Sequence, residues 1–150
     1  MANPTGLLLI ALIATSALSW TTTTVDAEPI KLSNADFDEH VQEDGKIWFI
    51  KFFAPWCGHC KRLVPAWAEL DETMAGDDTW RIAHVDCTTN KEVCTKHEIR
   101  GYPTLKVFHN GKEFRRYTGA RDVESLKTFI NTVTHDLWQA EGEAAAHDEA

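Results

Sequence analysis

Apolar residues in this chain fall either into continuous runs or onto helical spacing, and the switch between the two patterns outlines the elements. A brief strand is expected around Ile30 to Leu32, and Ser33 and Asn34 offer N-caps for a short helix carrying Phe37 and Val41 four positions apart. Ile47 to Phe53 is a nearly continuous β-prone run, the pattern of a central strand covered on both faces, interrupted only by Lys51. After it, Leu63, Trp67, Leu70 and Met74 recur along one helical face, with Pro65 expected to kink the helix. Ile82 to Val85 predicts a strand, Asn90 to His97 a short helix, and Thr104 to Phe108 a further strand after Gly101-Tyr102-Pro103. Asn110-Gly111 suits a type I′ turn into a strand at Phe114 to Tyr117, closing the sheet with an antiparallel hairpin. Asp122 can cap a last helix that sets Leu126, Phe129, Ile130, Val133 and Leu137 on one face, with Trp138 near its end, packed across the sheet. Strands alternating with helices predict an α/β fold, a central mixed β-sheet flanked by helices.

Length and the two ends bound this picture. The 150 residues, 43% of them apolar, suffice for one well-packed core, and no repeat or long Gly, Ser or Pro linker divides residues 28 to 140. Leu7 to Leu18 is an uncharged, largely apolar run followed by Ser/Thr-rich sequence, which predicts a signal peptide over residues 1–27. Cleavage after Ser19 or after Ala27 fits, the second being preferred because it leaves Glu28 as the mature start. Met1 to Gly6 carries no base, and a retained anchor would show the same run. It is nonetheless shorter than the roughly 20 residues that cross a bilayer, so no stable membrane span is expected. Removing residues 1–27 takes away one acid, Asp26, and no base, so the net charge moves from −8 to −7. No basic stripe exists for nucleic acid. Glu141, Glu143, Asp148 and Glu149 lie among alanines near the C-terminus, and residues 139–150 are expected to form an acidic disordered tail after a domain over 28–138.

The candidate chemistry is at Cys57-Gly58-His59-Cys60. Two thiols three positions apart at a helix start lie one turn from each other, within disulfide reach, and can cycle between dithiol and disulfide. Cys57, at the N-terminus, has unpaired backbone N–H groups and the helix dipole to favour its thiolate, whereas Cys60 lies one turn deeper. Cys57 is therefore expected to attack and Cys60 to resolve. An imidazolium on His59 beside the thiolate would stabilise the reduced form and make the disulfide more oxidising, about 30 mV for each 1.4 kcal/mol. A C-x-x-C pair alone also fits a structural disulfide or half of a zinc site. The other cysteines, Cys87 and Cys94, sit in a different strand-to-helix segment with a six-residue spacer, unlike the usual zinc spacings, so neither metal nor cofactor is expected.

The segment Ala54-Pro55-Trp56-Cys57-Gly58-His59-Cys60-Lys61 resembles the catalytic motif of the protein disulfide isomerase family. The similarity runs from about Ile30 to Val133 and includes Pro65, Val85-Asp86, Arg100-Gly101-Tyr102-Pro103-Thr104 and the Asn110-Gly111 hairpin. The resemblance implies a thioredoxin fold and formation, reduction and rearrangement of disulfides in secretory-pathway proteins. It implies that Pro103 is a cis-proline facing the site, with Tyr102 presenting its backbone to an extended substrate chain. It also implies that Arg121 is an arginine able to swing towards the deeper thiol, a solvated surface charge being the alternative. Trp56 and Tyr102 offer an apolar platform for unfolded chains. Cys87 and Cys94 resemble a structural disulfide of one multidomain branch, two free buried thiols being the alternative.

Two departures qualify the resemblance. Many such domains carry a buried carboxylate six residues before the first cysteine, where this chain has Lys51. A lysine there is compatible with a neutral base, a charge that lowers the Cys60 pKa, or an outward snorkelling side chain. The chain ends His147-Asp148-Glu149-Ala150, one residue different from the His-Asp-Glu-Leu retrieval signal, so both the endoplasmic reticulum lumen and secretion fit. Expected partners are unfolded or misfolded clients together with an upstream thiol oxidase or glutathione. A peptide-binding module with incidental cysteines and a cytosolic-type reductant are the competing functions.

Overall fold

A computed structural model describes residues 28–148. The signal peptide expected over 1–27 and the terminal Glu149-Ala150 lie outside them. Nine elements follow in order: β1 Ile30–Leu32, α1 Phe37–Val41, β2 Ile47–Phe53, α2 Gly58–Met74, β3 Trp80–Asp86, α3 Lys91–Lys96, β4 Thr104–His109, β5 Lys112–Tyr117 and α4 Val123–Asp148. The strands form one mixed sheet in the order β1-β3-β2-β4-β5. The β1–β3 and β3–β2 pairs are parallel, while β2–β4 and β4–β5 are antiparallel. The apolar run of β2 thus occupies the middle of the sheet, where helices must cover both of its faces.

Because side chains alternate across a strand, β2 divides the core in two. Ile47 and Phe49 point to one face, where they pack with Leu63, Trp67 and Leu70 of α2 and Leu126, Ile130 and Val133 of α4. Trp48, Ile50 and Phe52 point to the other, against Phe37 and Val41 of α1 and Val93 of α3. The indole N–H of Trp67 donates to the Ala83 carbonyl at 3.2 Å and that of Trp80 to Thr134 Oγ1 at 3.0 Å, so two large rings are buried with their polar edges satisfied. The β4–β5 turn has positive φ at Asn110 and Gly111, 50° and 75°, as a type I′ turn requires. A Cβ on Gly111 would also lie 2.8 Å from Gln42 Cγ.

Two local expectations change. Asn34 does not cap α1; its Oδ1 accepts from the Val93 N–H at 3.2 Å, while its own N–H donates to Asn90 Oδ1 at 3.0 Å. It therefore closes the N-terminus of α3 from a distant part of the chain, a cap that local sequence spacing does not reveal. Helix α4 continues past Trp138 to Asp148 in place of the disordered tail expected from 139. Gln139, Ala140, Glu141 and Ala144 to Ala146 have high helix propensity, and Glu141 Oε1 meets His109 Nε2 at 3.0 Å. Propensity and this anchor extend the helix without apolar burial.

Cys87 and Cys94 are joined by a disulfide, with Cα atoms 5.7 Å apart. It ties the end of β3 to α3 and lies in the core beside Val85 and Val93. Replacing both by alanine is expected to lower the unfolding free energy by about 2 kcal/mol, the loop-closure scale for so short a ring. Urea unfolding of the double variant checks this, and an unchanged midpoint would contradict it.

Candidate active site

The site forms where β2 ends and α2 begins. Phe53 leaves the sheet, the Cys57 N–H donates to the Ala54 carbonyl at 3.1 Å, and the chain turns into α2 with Cys57 itself at the N-cap. Its φ of −74° and ψ of 119° are extended, so its sulfur folds back over the first turn and accepts from the Cys60 N–H at 3.4 Å. A sulfur thus takes the place that a serine or aspartate oxygen usually fills. Cys57 and Cys60 are both free thiols and both buried.

Their ionisation is pushed apart. The Cys57 thiol is lowered from its ordinary value, first by the hydrogen bond from the Cys60 side chain, then by the backbone N–H groups of Cys60 and His59 and by the charge of Arg121. The Cys60 thiol is raised to about 11, chiefly by burial and by donating its proton to Cys57. The Ala54 backbone and the Lys51 charge oppose that rise without overcoming it. Cys57 is therefore the more readily ionised of the two thiols, and Cys60 the one that keeps its proton.

The remaining expected residues fall as follows. The Tyr102–Pro103 bond is cis and Pro103 is buried. The Tyr102 carbonyl faces the Cys57 sulfur at 3.5 Å, accepting from its thiol. Trp56 is 71% exposed and meets Tyr102 edge-on, ring centroids 6.1 Å apart. Gly58 opens the helix with free space around its Cα. The His59 ring turns to Arg62, with the guanidinium 2.6 Å from Nδ1, and the His59 backbone N–H is among the groups that lower the Cys57 thiol. Arg121 is exposed, and its charge is among the groups that lower the Cys57 thiol.

Lys51 is only 4% exposed, with its ammonium 5.3 Å from the Phe53 ring centroid and 5.8 Å from that of Trp67. Sequence inspection missed its neighbour His84, which lies directly across β2–β3 from it. Burial, with the Lys51 charge next in importance, lowers the His84 imidazole to about 4. The signal was present as two apolar runs, Ile47 to Phe53 and Ile82 to Val85, each broken by one basic side chain.

Against known proteins, the thioredoxin family profile matches residues 28–132. A rice protein disulfide isomerase-like 5-1 (Oryza sativa subsp. japonica) is 42% identical over 95% of this chain and 90% of its own length. Protein disulfide-isomerase 5-1 of Arabidopsis thaliana is 48% identical over 71% of this chain and 73% of its own. Among solved structures, the J-Trx1 fragment of ERdj5 superposes with a TM-score of 0.66 at 32% identity, covering 73% of this chain and 53% of that one. The fold and the dithiol helix start define a thioredoxin-fold redox domain. The chain belongs to the protein disulfide isomerase family.

Only a thiolate reacts with an alkylating agent, so a lowered pKa keeps Cys57 reactive as pH falls. Iodoacetamide is expected to modify Cys57 in the folded, reduced protein at a pH where the urea-unfolded chain has become slow, while Cys60 stays unmodified until pH approaches about 11. Mass mapping across a pH series checks both, and coincident folded and unfolded profiles would contradict the assignment.

Proposed function

We propose that the chain is a single-domain thiol–disulfide oxidoreductase acting on secretory-pathway clients, with Cys57 as attacker and Cys60 as resolver. The observation that carries this is the opposed ionisation of two cysteines one helical turn apart, the lowered one beside the Tyr102 carbonyl. In isomerisation the Cys57 thiolate attacks a client disulfide, one client sulfur leaves as a thiolate, and a mixed disulfide forms. The freed client thiolate can attack another client sulfur, and the rearranged client releases Cys57 unchanged. Alternatively Cys60 loses its proton and attacks Cys57, which reduces the client and leaves Cys57 and Cys60 oxidised. Run in reverse, the Cys57–Cys60 disulfide accepts two electrons from a client dithiol, and a thiol oxidase or glutathione restores the starting state.

The carbonyl of Tyr102 links catalysis to binding. When Cys57 ionises it can no longer donate to that carbonyl, which becomes open to an N–H of an extended client strand. Trp56 adds an exposed apolar surface beside it. Arg121 supports the Cys57 thiolate. The endoplasmic reticulum lumen or the secretory pathway is the expected location, and among the described residues no helix is long and apolar enough to cross a membrane.

Cys60→Ser is expected to accumulate mixed disulfides with a scrambled client, seen as adducts on non-reducing gels, and Cys57→Ser to abolish both adducts and refolding. If the double variant refolds the client as well as the wild type, the domain is a binding module instead. Trp56→Ala is expected to raise KM for a polypeptide client several-fold, about 1 kcal/mol for loss of an exposed aromatic contact, and to leave exchange with a small disulfide nearly unchanged.

A further inference from the structure

Two lysines of the sheet are buried, and the fold treats them differently. Lys106 is 6% exposed, and its ammonium donates to Glu113 Oε2 at 2.6 Å and to the His97 carbonyl at 2.9 Å. Lys51 is 4% exposed, yet among the described residues its ammonium has no carboxylate or carbonyl partner, only the rings of Phe53 and Trp67 beside it. A buried charge ordinarily keeps a counter-group, so an acceptor for Lys51 has to come from outside these residues. Lys51 lines a cavity of about 500 Å³, a size that holds a small organic molecule. Most of the wall is apolar: Pro29 ahead of β1, Phe53 at the end of β2, and Val64, Trp67 and Ala68 of α2. His84 of β3 and Glu28 complete it. Val64 is 53% exposed, so the cavity is reached from solvent beside α2. Cys57, Cys60, Trp56 and Tyr102 do not line it, and it is therefore separate from the surface that faces a client.

We propose that this cavity is a binding site for a small monocarboxylate with an aromatic or branched apolar body: the Lys51 ammonium donates to the carboxylate, and the body lies against Pro29, Val64, Trp67 and Ala68. An apolar wall with one cation is the form such a ligand requires. A neutral apolar molecule would leave the ammonium as unpartnered as before, and a bare inorganic anion would leave the apolar wall wet. Glu28, whose carboxylate stands on the lining, disfavours a ligand that brings a second negative charge. The pairing forms in a low-dielectric setting, where a charge-assisted hydrogen bond is strong. Binding is reversible, makes no covalent bond, and does not depend on the roles assigned to Cys57 and Cys60.

The groups around Lys51 leave it as the cation available to such a ligand. On β4 the register sets the apolar Leu105 opposite it. On β3 it sets His84 opposite, which burial keeps neutral above about 4. Cys60 of α2 keeps its proton up to about 11, so it supplies no competing anion near neutral pH. Lys31 of β1 and Asp86 of β3 act on His84 with opposite signs. Burial lowers the Lys51 amine to about 8. Below that value the amine is charged and can hold a carboxylate; above it the charge is lost, and the pairing weakens about tenfold per pH unit until only apolar contact remains. By linkage, a carboxylate that prefers the ammonium raises the amine's pKa when it binds.

The test titrates the reduced full-length protein with phenylacetate and with its neutral isostere phenylacetamide, following backbone and indole N–H signals by NMR. At neutral pH phenylacetate is expected to bind about tenfold tighter than the amide, the scale of a hydrogen bond to a charged group. The largest shifts should fall on Val64, Trp67 and Ala68. Raising the pH beyond about 8 should erase the preference as the amine discharges. Lys51→Met should abolish the preference for phenylacetate while keeping amide binding. Lys51→Arg should keep the preference and hold it above that pH, because a guanidinium does not discharge. Ala68→Phe, which fills the cavity from α2, should weaken both compounds several-fold.

Equal affinities for the acid and the amide in the wild type, shifts centred elsewhere, or no binding up to the solubility of phenylacetate overturn the proposal. Displacement of phenylacetate by an equal concentration of chloride overturns it too, since the cavity would then hold a bare anion. If Lys51→Met does not fold, the wild-type comparison and Ala68→Phe decide, and an unchanged phenylacetate affinity in Ala68→Phe counts against the site. Every readout is binding without turnover, so the roles of Cys57 and Cys60 stand or fall separately.

Discussion

The whole site depends on one sulfur having two duties. Cys57 is the N-cap of α2, so its sulfur completes the helix start by accepting the Cys60 N–H, and under the proposed function the same lone pairs attack a client. The two duties are compatible because both favour the thiolate: an anion is a better acceptor than a thiol and sits at the positive end of the helix dipole. Oxidation removes the anion and with it part of the cap. The helix start is therefore better satisfied in the reduced state, a bias that makes the disulfide a readier electron acceptor. What keeps the sulfur there is packing below it, where Leu63, Trp67 and Leu70 pin α2 to the middle strand β2.

The middle strand carries a second constraint. Its seven residues Ile47–Phe53 are buried or nearly so, and a lysine in that run is an expensive residue to keep. Lys106, on the neighbouring β4, shows how the fold ordinarily solves this, with a carboxylate and a carbonyl at the ammonium. On the α2 face of β2, the alternation that sends Ile47 and Phe49 into the core sets Lys51 against Trp67 of α2 and its own neighbour Phe53. Aromatic faces partly compensate the charge without fixing it. The result is an amine that burial lowers to about 8.

Much of this was legible in the sequence where the signal is periodic or steric. The Leu63, Trp67, Leu70 spacing produced α2, the β2 run produced the central strand, and Asn110-Gly111 produced the positive-φ turn, because each depends on neighbours along the chain. The failures share the opposite property. Asn34 caps a helix almost sixty residues away, which no local pattern encodes. The contact of the His59 ring with Arg62, one turn on, and the action of the His59 backbone N–H on Cys57 depend on side-chain and backbone geometry that the C-x-x-C spacing does not carry. The C-terminal helix was misjudged because acidity and lack of apolar residues were weighed above the helix propensity of its alanines and glutamates, and because the contact from Glu141 to His109 is tertiary. His84 escaped notice since its importance arises from the register that sets it opposite Lys51.

The two cysteines cannot be tuned independently. The hydrogen bond that lowers Cys57 is the one that raises Cys60, since a single proton lies between the two sulfurs. Any change that makes Cys57 a better attacker by strengthening this bond makes Cys60 a slower resolver, and the mixed disulfide then lasts longer. Once Cys57 is joined to a client it is no longer an anion, and both the bond and the repulsion that hold the Cys60 proton in place weaken. The ionisation of Cys60 in the resting dithiol is thus an upper bound on the barrier it faces in the intermediate, and what remains is the burial cost. That residual cost is independent of Cys57, and the Ala54 backbone and the Lys51 charge act against it, whereas the His59 backbone and Arg121 act on Cys57, so the two thiols can be set by different residues even though they share a proton.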